Sequence, residues 1–587
     1  MLMPKSPGFT TIPQTPLSGP LDTRSRPADL SPGAFRYKLN LAINRTGSLC
    51  QRAGHAALSF GQRSDSETDP NNWDYHRQGA DRELPTMLFE STSADKTRRL
   101  FLGTQSRVAV LDNATSQWTD IASGLGADGS RFKMAALEDK VFFTNNVDEP
   151  RMHTLASGIS STIAGLQGEG VTKAKVVVEF NGVILWMNLV EDAEDQPSRI
   201  RWSDYRKGEI YAPSTGSGDD SVAGFQDLDY GDPILAAAQM VNALYIFTER
   251  AIWRCVVSPT GDAIFGFTRV YVESRNQSAC LAYPNTLVSN GRELYWWARD
   301  AIWTYNPYIV GPECPDWLLR ACGAQFSDTD PDRFNRSCCE SPVGDYLPDA
   351  KEIWWSYPLP GSCINRRCFV VNIEYKTADL VDHGYGAFAN FRRTAESQQE
   401  CNAVQVFIGS SGSDYCLKSI GGVFYRERVA LIDDEVETDI PDDSYAVVQD
   451  GYYRRLVGHC PFGYADKEKT VNNLLLEHDT KDANAESPNL FTLRIGNSRN
   501  LEDPMSTNAN CSVLWNEQDD LELLCANPQS IAAMKAEGLR PSDPTEWTLY
   551  EQGYHLYFDI RITANDGGAP VGSDSAWNKL EWSVMTN

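Results

Sequence analysis

The chain has 587 residues, with 53 Lys and Arg against 79 Asp and Glu, for a formal net charge of −26. An acidic excess of that size repels phosphate backbones and anionic membrane surfaces, which argues against sequence-reading DNA binding and against membrane insertion; no run of roughly eighteen apolar residues offers a membrane-spanning helix. Aromatic residues at 11%, 43 Gly and 31 Pro, with Asp, Asn, Ser and Pro punctuating the chain about every ten positions, point to an all-β fold.

Residues 1–34 are rich in Pro, Ser and Thr without periodicity and predict an extended arm. Such an arm suits docking along a neighbouring subunit, because a Pro-rich segment has less conformational freedom to lose. Its stretch MLMPKSPGFTTIPQTPLSGPLDTRSRP lacks the apolar centre of a signal peptide, so the protein is expected to stay in the cytosol. Residues 35–60, FRYKLNLAINRTGSLCQRAGH and its continuation, alternate apolar and polar side chains around a Gly turn and predict an anchoring strand pair.

Residues 61–440 carry a repeat. NALYIFTERAIW at 242–253 aligns without gaps to RELYWWARDAIW at 292–303, each reading as strand, tight polar turn and strand, with Leu244, Tyr245 and Trp253 matched by Leu294, Tyr295 and Trp303. Weaker copies of the first strand place Leu100, Val141, Val183, Ile353 and Val406 as further equivalents, with steps of 41, 42, 61, 50, 59 and 53 residues along the full series. Steps of that size match one four-stranded blade of a β-propeller, and the expectation is six to eight blades, with seven as the direct count. A single sheet cannot bury both faces; stacked radially, each covers its neighbour, with Trp253, Trp296, Trp303 and Trp355 filling the wedges.

Beyond 440 the rhythm changes. Residues 441–587 predict a C-terminal antiparallel sheet or sandwich, interrupted by one short helix at about 528–537 that Asn527 caps and Gly538 ends.

Candidate chemistry is sparse. Asp227, Asp229 and Asp232 in DLDYGD, and Asp433, Asp434 and Glu435 in LIDDEVE, are the acidic groups that glycosidic cleavage could use, and they read as solvated loop carboxylates. The stretch DNATSQW at 112–118 lacks the Gly and the Ser placement of a sialidase Asp-box. Seven scattered histidines, no G-x-S-x-G and no phosphate-binding loop leave no metal, cofactor or nucleophile site, and DPNNWD and DTDPD read as Asx-turns in preference to calcium loops. The fourteen cysteines, without a secretion signal, are expected to stay reduced: Cys338 and Cys339 are adjacent, Cys363 and Cys368 are separated by four residues, and no C-x-x-C pair completes a metal site. The sequons at Asn44, Asn113, Asn276, Asn335 and Asn510 carry no weight outside a secretory pathway. A non-enzymatic protein without cofactor is the expectation.

The stretch LSPGAFRYKLNLAINRTGSLCQRAGHAAL, followed by hairpins such as RRLFLGTQSRVAVLDNATSQWTDIASGL, resembles the propeller tail proteins of short-tailed bacteriophages, the nozzle or packaged-DNA-stabilisation proteins. The matching lead-in positions are Asn40, Leu41, Gly47, Leu49, Arg52 and Gly54, with Ala53 where that family usually has proline. The resemblance covers roughly residues 30–435. It implies a structural virion protein in the phage tail, assembled in the host cytoplasm as a homo-oligomeric ring of typically six copies. Such a ring docks on the adaptor and portal proteins above it and on tail fibre or tip proteins, and double-stranded DNA is retained and then ejected through its lumen without specific binding. Carboxylates lining that lumen would let DNA slide. The competing expectation is a glycan-binding or glycan-hydrolysing propeller on the virion surface.

Overall fold

The computed structural model describes residues 10–14, 19–25, 34–43, 49–51, 55–57 and 85–391, with breaks at 93–97, 113–116, 127–130, 156–157, 215–220, 259–263, 274–278, 309–310, 349 and 382–383; beyond 391 it describes strands alone. Consecutive antiparallel strands form six blades: 87–122, 133–162, 171–227, 234–272, 288–305 and 343–381, called blades 1 to 6. All have four strands in meander order except blade 5, which has three. A further sheet closes the ring. Its strands Tyr385–Phe391, Val404–Gly409 and Leu417–Ile420 follow blade 6 in sequence, and its last place is taken by His55–Ala57 from the N-terminal side. Tyr385–Phe391 packs between the innermost strands of blade 6, Val343–Leu347, and of blade 1, Met87–Thr92. The count of six consecutive blades lies within the expected range, and the seventh step of the repeat, Val406, falls in this closing sheet.

The cores lie between blades, and strict side-chain alternation along the second strand of each blade builds them. In blade 4, Leu244 and Ile246 pack toward blade 3 with Phe180, Leu185 and Trp202, while Tyr245 and Phe247 pack toward blade 5 with Leu294 and Trp296. In blade 5 the same alternation sends Leu294 back to blade 4 and Tyr295 on to Trp355 and Tyr357 of blade 6. Leu244 and Leu294 therefore occupy corresponding places in adjacent sheets. Trp297 anchors the next wedge, with ring centroids 5.2 Å from Phe326, 5.6 Å from Phe334 and 6.1 Å from Trp355. Each such aromatic pair contributes about 0.5–1.5 kcal/mol beyond its buried area.

One assignment in the repeat needs correcting. Val183 packs forward with the blade 3–4 core, whereas Ile184 packs back against Ala135 and Phe142 of blade 2, as Val141, Leu244, Leu294 and Ile353 do against their preceding blades. The equivalent residue is Ile184. A one-residue slip reverses the face in a strand of period two, and an apolar run such as VILWM hides that phase. The hairpin itself supplies it: Phe180 pairs with Val183 across Asn181 and Gly182, both at positive φ of 50° and 81°, the two-residue turn that Asn-Gly favours.

Both chain ends join the propeller. Phe35–Leu39 lies between Thr377–Val381 of blade 6, which it meets in parallel at Leu39 and Leu380, and Arg454–His459 of the C-terminal region. The sheet of blade 6 thereby continues through His555–Thr563 to Leu490–Ser498, eight strands in all. A separate six-stranded sheet combines Leu41–Ile43, Leu49–Gln51 and Thr10–Gln14 with Lys469–Asp479, Thr545–Gly553 and Ala576–Thr586. The strand Thr10–Gln14, inside the expected arm, pairs antiparallel with Ala576–Thr586 of its own chain. The helix expected at 528–537 lies outside the described residues.

Candidate functional site

The lead-in motif forms a corner. Phe35–Leu39 belongs to the sheet of blade 6 and Leu41–Ile43 to the six-stranded sheet, so the chain must change sheets within one residue. Asn40 makes that turn at φ 55°, a left-handed backbone that Asn tolerates better than most L-residues. Its N–H donates to the Leu380 carbonyl at 2.8 Å, and the Leu41 N–H donates to Asp379 Oδ2 at 2.8 Å. Leu41 and Leu49 are buried beyond the corner. Lys38, just before it, donates to the Gly19 carbonyl and to Thr377 Oγ1, and burial pulls its ammonium down to about 8 against the opposing pull of Asp379. Gly47, Arg52 and Gly54 lie outside the described residues.

A second constellation sits where the innermost strands begin. They surround a central cavity of about 250 Å³, below the roughly 300–1,000 Å³ of usual ligand pockets. Arg131 and Lys133 line it from the start of blade 2, beside Phe132 and Met134, which also pack in the blade 1–2 core. Arg131 donates to four main-chain carbonyls: Glu340 at 2.8 Å, Ser341 at 2.9 Å, Thr86 at 2.9 Å and Gly386 at 2.6 Å. One guanidinium thus bolts the starts of blades 1, 2 and 6 and of the closing sheet. Lys133 donates to Asn285 Oδ1, and Asn285 Nδ2 donates to the Glu340 carbonyl at 2.8 Å and to Glu340 Oε2 at 3.1 Å. Lys175 of blade 3 pairs with Glu340 Oε1 at 3.4 Å. Burial lowers Arg131 to about 10 and Lys133 to about 8, partly offset by Glu340.

The blade-repeat residues are packing groups. Leu244, Tyr245, Trp253, Leu294 and Tyr295 are buried in inter-blade cores, and Trp303 is partly buried against two of them.

Among the described residues the acidic candidates do not converge. Asp227 is on the outer strand of blade 3 in a two-pronged pair with Arg199, at 2.7 and 2.8 Å, and that hydrogen-bonded partner lowers its carboxyl. The expectation of a solvated loop carboxylate holds only in part: Asp227 is exposed, but it ends a strand and is held in an ion pair. Arg199 and buried Arg201 also share Glu191, and both guanidinium groups lie over the Phe225 ring at 4.6 and 5.0 Å. Asp229 and Asp232 follow in the loop to blade 4; Asp433 and Asp434 lie outside the described residues, and Glu435 begins a short strand.

The cysteine expectation is also corrected. Cys338 and Cys363, in the loops that flank the first two strands of blade 6, are joined in a disulfide with Cα atoms 5.4 Å apart. Compartment sets the redox surroundings, whereas proximity across 25 residues of separation is a property of the folded blade. Among the described residues, Cys255, Cys280 and Cys322 are buried and Cys339 is exposed, and none of these four is in a disulfide.

Two solved structures align with the chain over most of their own length. The chain is similar to the β-propeller domain of Cps50 (Swd1) from Myceliophteria thermophila, at 9% identity over 58% of this chain and 97% of that one, with a TM-score of 0.35. Its blades and closing sheet make the chain a β-propeller. It is also similar to BamB from Moraxella catarrhalis, at 10% identity over 65% of this chain and 93% of that one, with a TM-score of 0.34. No family model and no curated protein matches.

Sequence reasoning missed the channel cluster. The signal available was SRFKM, two cations spaced by two at a strand start, which places both on one face. Nothing local says that this face looks into a channel.

Proposed function

We propose that the chain is a structural component of a short phage tail, a nozzle subunit that extends the portal–adaptor channel, retains packaged DNA and conducts it at ejection. The observation that carries the reading is the seam at Asn40. Residues of the motif shared with tail nozzle proteins run from the blade 6 sheet directly into a second sheet built from both chain ends. The chain crosses the seam covalently at Asn40, and the ladders on either side anchor it in each sheet, so pulling it out of either one requires breaking several backbone hydrogen bonds together.

The propeller's own centre is a cavity of about 250 Å³, far too small for a duplex, so the DNA lumen in this reading runs between subunits. The net charge of −26 supplies carboxylates that keep DNA from adhering to the lumen wall. In the assembled tail the partners are further copies of this chain, six in the expected ring, with adaptor and portal proteins above and fibre or tip proteins below.

Negative-stain imaging and native mass measurement of the full chain mixed with its portal–adaptor assembly test this. Closed rings of six copies docked on the adaptor are expected. Discrete monomers that fail to bind the adaptor would overturn the proposal, and so would a ring whose lumen carries more Lys and Arg than Asp and Glu.

A further inference from the structure

The start of the central channel gathers positive charge in a chain that is otherwise strongly acidic. Arg131, Lys133 and Lys175 approach one another there closely enough to act on Lys133, and among the described residues Glu340 is the carboxylate that acts on both Arg131 and Lys133. Glu340 is already divided: Oε1 faces Lys175 at 3.4 Å and Oε2 accepts from Asn285 at 3.1 Å. The four acceptors of Arg131 are main-chain carbonyls, which fix its position without neutralising its charge.

Lys133 gives one N–H to Asn285 Oδ1, whereas an ammonium carries three. It retains partial exposure, and it lines the cavity of about 250 Å³. Three cations thus face one shared carboxylate beside a space larger than the roughly 30 Å³ of a single water. A buried cation in such surplus either gives up its proton or takes a counter-ion. A counter-ion here would meet donors whose positions are set by the Arg131 bolt and by the Asn285 bridge, so little ordering would remain to be paid on binding.

We propose that the channel start is a binding site for a small oxyanion of the sulfate and phosphate class, held directly by Lys133 and favoured by the charges of Arg131 and of Lys175 beside it. A tetrahedral dianion fits the chemistry: it accepts several N–H bonds at once, and charge-assisted bonds of this kind are about twice as strong as neutral ones. The site lies within one propeller and needs no ring, so its test is independent of assembly.

Sulfate is the probe, because its charge stays constant over the neutral and alkaline range. Isothermal titration of the full-length protein with sodium sulfate at constant ionic strength should show one saturable site. Sulfate should also raise Tm above a chloride control of equal ionic strength, since a ligand that binds only the folded state stabilises it. Lys133→Met should abolish both effects. Lys175→Gln changes a side chain that is 26% exposed and should weaken sulfate binding roughly ten-fold while leaving the fold intact. Absence of saturable heat with the wild-type protein overturns the proposal. Equal Tm increments in wild type and Lys133→Met overturn it as well, since that pattern is the general stabilising effect of sulfate. Should Lys133→Met not fold, unchanged affinity in Lys175→Gln overturns it.

Discussion

Asn40 shows how a single backbone setting organises two sheets. Its φ of 55° would cost an ordinary L-residue about 1–2 kcal/mol, and a β-branched one at least that. Asn40→Val should lower unfolding stability by about 1–2 kcal/mol in urea titrations, with Asn40→Gly within a few tenths of wild type; equal losses in both would count against a backbone origin. The motif made Asn40 legible in the sequence, but its role as a change of sheet was not, because the partners Leu380 and Asp379 lie more than 300 positions away. Lys133 supplies a pH test at the same scale. Burial lowers it from the ordinary 10.5 to about 8, so between those values the unfolded chain holds a proton that the folded chain has released. The side chain's penalty is full below about pH 8 and fades as pH rises toward 10.5, which means that its contribution to stability improves with pH. The stability of wild type minus that of Lys133→Met, measured without sulfate at about pH 8 and about pH 10, should therefore increase. A constant or shrinking difference would refute the buried, charged setting of this lysine.

At the scale of elements, a blade is a meander whose second strand serves two cores at once. The gapless hairpin pair at 242–253 and 292–303 was readable because turn chemistry and alternation are local, and both hairpins take the same place in neighbouring blades. The phase error at Val183 arose where the apolar run offers no polar residue to mark the face, and the Asn181–Gly182 turn is what resolves it. Blade 6 adds a covalent tie that spacing did not reveal. In the chain-entropy account, a crosslink over 25 residues stabilises by about 3 kcal/mol. Cys338→Ser should lower stability by about that amount, and alkylation of the unreduced, denatured protein should leave Cys338 and Cys363 unlabelled. Labelling of both Cys338 and Cys363 would remove the bond.

Over the whole molecule, closure depends on segments far apart in sequence. His55–Ala57 completes the closing sheet beside Leu417–Ile420, and Thr10–Gln14 covers part of one edge of Ala576–Thr586. An uncovered strand edge invites pairing with other chains, so the arm both seals the C-terminal sheet and protects it. Deletion of residues 1–18 should lower hydrogen-exchange protection across Leu580–Val584, the partners of Thr10–Gln14, and leave Leu244–Phe247 protected. Unchanged protection at Leu580–Val584 would show that the arm pairing contributes nothing to that edge. Phe35–Leu39 ties the sheet of blade 6 to the C-terminal strand Arg454–His459, and ring assembly is the measurement that tests the proposed nozzle role.

The sequence by itself determined the all-β class, the radial repeat and the residues that wedge blades apart, because these follow from side-chain period and turn type within about a dozen neighbouring positions. Tertiary structure alone decided the closing strand, the corner at Asn40, the Cys338–Cys363 bond and the cationic start of the channel. Arg131 reaches Gly386 across 255 positions and Lys133 reaches Asn285 across 152, and no local pattern encodes which distant surfaces a closed ring will bring face to face.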